Sequence, residues 1–345
     1  MANKQYATLA NFNCTFKINL ETFPMLNYFE KIIWPAFNDK SLVRKTFKRN
    51  NKKLPVKYYI SDAKVIELND GNFALIGKHI KRTILEISED YAPGEGFFGE
   101  EETKPSAPYS TFIILLNNHR VIYYPNKAGA PDIRSFASTI KSIVGQYIDN
   151  QRDILLNSLD IEEYPTKKAA LYIREEYPTA ELNIVPIESE ELVIETFKSI
   201  DSIQNVKFKF YKPNNDPIDF NDLFEAAYGI IEQTNSTSME QSLNSPKEIS
   251  VIEDAIIKSK GKTNYTIKAK NIFKEKITIT PDKISPKIEI HIDNSLSIES
   301  NTTYVYNQLK ERKELKPISN ENKSTFEKFK SIIFLKKIGG YYVIK

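Results

Sequence analysis

"KYYISDAKVIELNDGNFALIGKHI", residues 57–80, reads as two strands folded back on each other. Runs rich in β-branched and aromatic residues flank Asn69-Asp70-Gly71, and Asp-Gly tolerates the positive φ that a tight hairpin turn demands. A hairpin makes neighbouring strands antiparallel. It therefore argues against a repeating strand–helix–strand series and its parallel sheet.

The neighbouring segments agree. Upstream, "NCTFKINL" (13–20) alternates like a strand, and "TFPMLNYFEKIIWPAF" (22–37) spaces Phe23, Leu26, Phe29, Ile33 and Phe37 as an amphipathic helix would. Downstream, a Gly/Glu/Pro-rich loop (91–108) precedes "STFIILLNN" (110–118) and "RVIYYPN" (120–126), two strands joined around Asn117–Asn118. "APDIRSFASTIKSIVGQYI" (130–148) follows as a helix with Asp132 at its N-cap and Ile133, Phe136, Ile140 and Ile143 on one face.

A boundary is expected between 150 and 165. "EEYPT" at 162–166 and again at 175–179 punctuates a short helix, "TKKAALYIREE". Beyond it, "AELNIVPI" and "QNVKFKFYKPN" read as strands around the helix "EELVIETFKSI". "FNDLFEAAYGIIEQ" reads as a helix, "TNSTSMEQSLNSP" (234–246) as a loop, and "YTIKAKN" and "KITITPDKI" as strands. The tail from Ser324 reads as a basic helix, a Gly-Gly break and a closing strand. The expectation is an α+β protein of two mixed domains with largely antiparallel sheets. Residues 1–155 form the first, 156–300 the second, and 301–345 a helix-and-strand extension.

At 345 residues the chain can bury two cores, and its 41% hydrophobic and 27% charged residues are those of a globular protein. Cys14 is the only cysteine, so no internal disulfide forms, which suits a reducing cytoplasm. The opening residues hold no sustained apolar segment. The longest apolar run, "FIILL" at 112–116, falls far short of the roughly 20 residues that span a bilayer. A cytoplasmic location is expected.

Net charge is only +3, but it is unevenly divided. Residues 1–85 hold fifteen Lys/Arg against six Asp/Glu, residues 149–201 five against thirteen, and residues 258–345 nineteen against nine. Two basic regions flank an acidic middle, and such a distribution speaks to partners rather than to fold.

Catalytic patterns fail on context. "GEGFFG" at 94–99 matches a dinucleotide fingerprint, but Pro93 precedes it and acidic residues follow, so an acidic loop is the better account. His79, His119 and His291 share no spacing, no zinc pattern appears, and Cys14 reads as a small buried hydrophobe. Pro-Asp occurs at 131–132 and 281–282, and Glu-x-Lys at Glu311–Lys313 and Glu314–Lys316. The latter pair sits in a segment that reads as helix rather than on the strand a metal-dependent nuclease requires. No catalytic residue, metal site or cofactor is assigned.

The basic stretches are more specific. "KSLVRKTFKRNNKKLPVK" (40–57) holds eight Lys or Arg and no acid. As a helix it would carry Lys40, Arg44, Lys45, Lys48, Arg49, Lys52 and Lys53 as a single-sign strip whose self-repulsion a polyanion relieves; the competing account is an exposed linker helix. In "VKFKFYK", Lys207 and Lys209 point away from Val206, Phe208 and Phe210; in "YTIKAKN", Lys268 and Lys270 point away from Tyr265, Ile267 and Ala269. If these strands share a sheet, four lysines line one surface. The competing account is that lysines on an exposed edge strand discourage edge-to-edge pairing. "FEKFKSIIFLKKI" (326–338) is a basic amphipathic helix, for which packing on the core is preferred to lying on a membrane.

The order of elements resembles that of the RexA-type phage-exclusion (abortive infection) proteins. "FKINLETFPMLNYF" is similar to the family's opening strand and helix, and residues 107–140 to its strand, turn, strand and Asp-led helix. "VKFKFYKPN" and "YTIKAKNIFKEKITI" are similar to its paired lysine-bearing strands. The likeness spans residues 12–290; the basic run 40–57 and the tail after 300 depart from it. It implies a non-enzymatic antiviral defence protein that forms a homodimer, binds double-stranded DNA with little sequence preference, and works with a membrane-protein partner. An effector nuclease and a protein-interaction subunit of a defence complex are the alternatives.

Overall fold

The computed structural model describes residues 2–19, 21–46, 56–87, 90–93, 96–98, 102–160, 165–211, 222–293, 295–316, 320–334, 337–338 and 341–342. The chain opens with a long strand, β1 (Ala2–Ile18), and a short return, β2 (Glu21–Pro24). A 3-10 turn (Met25–Tyr28) and a π turn (Phe29–Ile33) lead into α1 (Trp34–Asn38). The helix expected over 22–37 therefore exists only in pieces. Pro24 and Pro35 each lack a backbone donor, and the changes of helical pitch still bury Leu26, Phe29, Ile33 and Phe37.

β3 (Arg44–Thr46), β4 (Val56–Glu67) and β5 (Phe73–Ile87) pair in antiparallel order. At the predicted turn, Gly71 takes φ +75°, Asp70 Oδ1 accepts the Asn72 N–H at 3.2 Å, and the Leu68 N–H donates to Asn72 O at 2.7 Å. The strands run longer than the sequence suggests. A bulge between Ser61 and Lys64, with Asp62 at φ +55°, absorbs the extra residues without ending the ladder.

β6 (Asp90–Ala92) and β7 (Gly96–Phe98) form a small hairpin, and β8 (Glu102–Ser106) returns along β5. Of "GEGFFG" the described part, Gly96–Phe98, is a strand rather than the start of a helix, and β8 is the next described element. β9 (Tyr109–Leu115) and β10 (Arg120–Pro125) form the next hairpin. α2 (Ile133–Ser158) starts where expected, with Asp132 Oδ1 accepting the Ser135 N–H at 2.7 Å, and α3 (Thr166–Glu176) follows.

β11 (Thr179–Pro186) leads into α4 (Glu190–Lys198), β12 (Ile200–Tyr211), α5 (Asp222–Gln233), β13 (Ser238–Asn244), α6 (Ile249–Ser259), β14 (Thr263–Asn271) and β15 (Lys276–Ile279). β13 lies where a loop was expected. Its residues are polar at alternate positions, but Met239 and Leu243 face the core of this unit and Ser242 and Asn244 face out. β16 (Ile288–Asp293), α7 (Ile298–Leu309), α8 (Asn320–Phe334), β17 (Lys337–Ile338) and β18 (Tyr341–Tyr342) complete the chain.

The protein is α+β, with two principal sheets whose pairings are antiparallel. The larger has twelve strands in the path β11-β1-β10-β9-β5-β4-β18-β17, with β16 and β2 on β1, β3 on β4 and β8 on β5. The smaller runs β13-β12-β14-β15. Their connection is informative. Ala10 of β1 pairs with Pro186 and Ala7 pairs with Ile288, so β11 and β16 lie end to end along β1. The smaller sheet and its helices are inserted at the break. Sheet membership thus does not follow the expected boundaries at 155 and 300: β11 and β16 lie inside 156–300 yet belong to the first sheet.

One face of the large sheet packs Phe12, Phe16, Phe112 and Val121 against Phe29, Phe37, Phe136 and Ile140, and against Phe326 and Phe329 of α8. That basic helix packs on the core. The other face packs Ile76, Ile113 and Ile122 beneath Val305, Tyr306 and Leu309 of α7. Among the described residues the small sheet is covered on one side only: Phe208, Phe210, Tyr265 and Ile267 meet Phe197 of α4, Phe224 and Tyr228 of α5 and Ile256 of α6. Each such buried side chain contributes about 1.5–3 kcal/mol. No helix among the described residues is long and apolar enough to cross a membrane.

Candidate nucleic-acid interface

The uncovered face of the small sheet follows from strand alternation. Val206, Phe208 and Phe210 need the core, so Asn205, Lys207 and Lys209 must face outward. β12 and β14 are adjacent and antiparallel, with Lys207 opposite Thr266, Lys209 opposite Asn264 and Asn205 opposite Lys268. Across the next pairing, Lys268 faces Thr278 and Lys270 faces Lys276. The condition set by the sequence is met: Lys207, Lys209, Lys268 and Lys270 share one surface, and Lys276 joins them. β12 and β14 are the interior strands of this sheet, so protection of a sheet edge does not explain their four lysines.

The face is polar and cationic. Lys207, Lys268 and Lys276 are exposed and make no ion pair among the described residues. Lys209 Nζ lies 3.3 Å from Glu240 Oε1 and 5.7 Å from the centre of the Tyr211 ring. Lys274 holds the Asp201 carboxylate at 2.6 Å and draws it below the usual carboxylate range, with Lys270 adding a smaller pull in the same direction. Tyr211 is the one aromatic residue on this side of the described strands, and it is buried. Sequence reasoning missed Lys276, although "KITITPDKI" places it at the mouth of a strand two residues from Thr278.

The described part of the first predicted strip is not helical. Lys40 is exposed in a turn after α1, and Arg44 and Lys45 lie in β3; Lys48, Arg49, Lys52 and Lys53 lie outside the described residues. A strand replaces the helix because Thr46 and Val56 can extend the β4 ladder, which an isolated helix of this composition could not match. Arg44 turns inward. Its guanidinium lies 4.8 Å from the centre of the Tyr58 ring, and Nη1 is buried without a hydrogen-bond acceptor among the described residues. Its guanidinium is thus turned toward Tyr58 rather than lined up with Lys45.

Lys45 acquires different neighbours instead. It pairs with Lys57, and Lys57 pairs with Arg82, so three cations face one another across β3, β4 and β5. The two basic surfaces do not merge within a sheet. β4 and β11 stand five inter-strand steps apart in the large sheet, about 24 Å at the usual strand spacing.

The two Pro-Asp pairs meet at one cleft. Asp132 and Asp282 line a cavity of about 310 Å³ together with Arg134, Lys287, Tyr6 and Thr8. Both carboxylates are engaged: Asp132 caps α2, and Asp282 lies 3.4 Å from Arg134 Nε. Glu311 and Glu314 follow the end of α7 and bind Lys316 and Arg312, each at 2.8 Å, on no strand. No cluster of three or more metal-ligating side chains occurs among the described residues. Cys14 is fully buried, which pushes its thiol far up.

Compared with known proteins, the chain matches no family model, no curated protein and no solved structure. The RexA-type resemblance rests on the sequence elements that suggested it.

Proposed function

We propose that this protein binds double-stranded DNA with little base preference, through lysine contacts to phosphates. The observation that carries the reading is the open face of the small sheet, where Lys207, Lys209, Lys268, Lys270 and Lys276 lie on three consecutive strands opposite the helix-covered side. Like charges that face one another in a sheet repel, and a polyanion relieves that repulsion by releasing its own counterions. Polar Asn205, Asn264, Thr266 and Thr278 between the lysines suit phosphate and sugar oxygens. With Tyr211, the one aromatic on this side of its described strands, buried, the strands of the face offer no row of platforms for unstacked bases, which favours duplex over single strands.

The RexA-type resemblance supports a setting in bacterial anti-phage defence, with a homodimer and a membrane-protein partner. The experiment is an electrophoretic shift with random duplex at two ionic strengths. Binding at low salt that weakens steeply at high salt supports the reading, and binding insensitive to salt contradicts it. A second reading, an effector nuclease, draws on the cleft shared by Asp132, Asp282 and Lys287. Plasmid incubated with Mg²⁺ or Mn²⁺ separates the two, since cleavage lost in Asp282→Asn would favour the nuclease.

A further inference from the structure

The connection between β14 and β15 presents two large apolar side chains to solvent. Phe273 is 76% exposed and Ile272 is 57% exposed. The turn that holds them is rigid by construction. Asn271 Oδ1 accepts the Phe273 N–H at 3.0 Å and the Glu275 N–H at 2.9 Å, while Asn271 Nδ2 donates to Glu275 Oε2 at 2.8 Å. The Ile272 N–H donates to Ser199 O at 2.9 Å, tying the tip to the start of β12, and Lys274 reaches Asp201 at 2.6 Å. An aromatic ring held out on so braced a turn is costly to leave in water.

Its surroundings indicate what it meets. Lys270 and Lys276 form the pair nearest the tip, Lys268 follows two residues away, and Lys207 lies level with Thr266 further along. At the strand rise these cations extend roughly 13 Å along the sheet, and Phe273 lies in the turn just beyond them. A flat anionic lipid surface touching the tip would reach only the nearest lysines. A rod-shaped polyanion laid on the sheet reaches them all.

We propose that this turn is a wedge: Phe273, backed by Ile272, inserts between base steps of a duplex held by the lysine face, and kinks it. Apolar side chains on the arms of DNA-bending proteins act this way, exchanging base stacking for a bent duplex that wraps more protein surface. The inference rests on the duplex reading above, and its test can fail separately. Flexible pyrimidine–purine steps are the favoured insertion points, because they unstack at least cost.

The experiment uses the full chain and a duplex of about 30 bp carrying a donor and an acceptor dye at its ends. Energy transfer reports the bend and anisotropy reports binding. Wild-type protein is expected to raise the transfer. Phe273→Ala is expected to bind within about threefold of wild type, with an unchanged salt slope, while transfer stays at the free-duplex value. Lys207→Glu/Lys268→Glu/Lys270→Glu is expected to lose binding and transfer together. If Phe273→Ala bends DNA as wild type does, or if wild type binds without bending, the wedge is overturned and the phosphate reading stands. If wild type ignores duplex but binds vesicles of phosphatidylserine and phosphatidylcholine in a Phe273-dependent way, both are overturned.

Discussion

Glu188 accepts a hydrogen bond from the backbone N–H of Gly261 at 2.9 Å, across the break where the small sheet enters the edge of the large one. Ser259 Oγ donates to the same carboxyl at 3.3 Å. Glu188 follows β11 and Gly261 precedes β14, so this contact fixes the lysine-bearing strand to the first sheet. Gly261 sits at φ +74°, and a Cβ there would stand 2.9 Å from Ile187 Cγ1 and 3.3 Å from Ile187 Cα. Gly261→Ala is expected to destabilise the protein by about 1–3 kcal/mol, read as a lower midpoint in urea.

The same carboxyl carries a pH dependence. Burial pushes Glu188 up to about 7, against the partial help of its hydrogen bonds. Its folded pKa exceeds the unfolded value near 4.5, so the folded state holds the proton longer. Stability from this group is greatest below pH 4.5, falls as pH rises, and levels off above 7, a change of about 1–3 kcal/mol. Glu188→Gln is expected to remove that fall in denaturant titrations at pH 5 and pH 8.

His79 acts in the opposite sense. It is fully buried, with Nδ1 2.9 Å from Tyr123 Oη and Nε2 3.1 Å from Thr139 Oγ1, and its ring stacks on Tyr58 beneath Arg44. Burial first, and Arg44 second, bring its pKa down to about 3. The unfolded chain binds a proton near pH 6.5 that the folded chain refuses. Stability is therefore lost as pH falls from 6.5 toward 3, by on the order of 3 kcal/mol. His79→Gln is expected to flatten this acid limb in circular-dichroism titrations, even if the variant is less stable at neutral pH.

The cation ladder of Lys45, Lys57 and Arg82 predicts a gain rather than a loss. Removing the middle charge relieves two facing repulsions, each worth roughly 0.2–1 kcal/mol. Lys57→Thr, which keeps strand propensity, is expected to raise the midpoint of thermal unfolding at low salt, with a smaller effect at high salt.

The sequence carried the fold well where periodicity and turn chemistry agreed. Asn69-Asp70-Gly71 marked its hairpin, Asp132 marked the start of α2, and the alternation in "VKFKFYK" placed Lys207 and Lys209 on the outer side of β12. It was silent where long-range pairing decides. β13 is too polar for a local strand signal and exists because β12 offers it a ladder. Nothing near Pro186 announces that β1 will continue to a strand about a hundred residues later. Charge density alone misread Arg44: it is basic, but it lies in β3 opposite Tyr58, whose ring meets the guanidinium. Lys57 and Arg82 become neighbours only through register, which no linear pattern displays.

The most direct test of the DNA-binding account is the salt dependence of random-duplex affinity for wild type and for Lys207→Glu/Lys268→Glu/Lys270→Glu. Wild type should give a slope of log K against log salt of about −3 to −4, and the triple variant, still folded by circular dichroism, about −1 or weaker with lost affinity. A folded triple variant with the wild-type slope and affinity would contradict it.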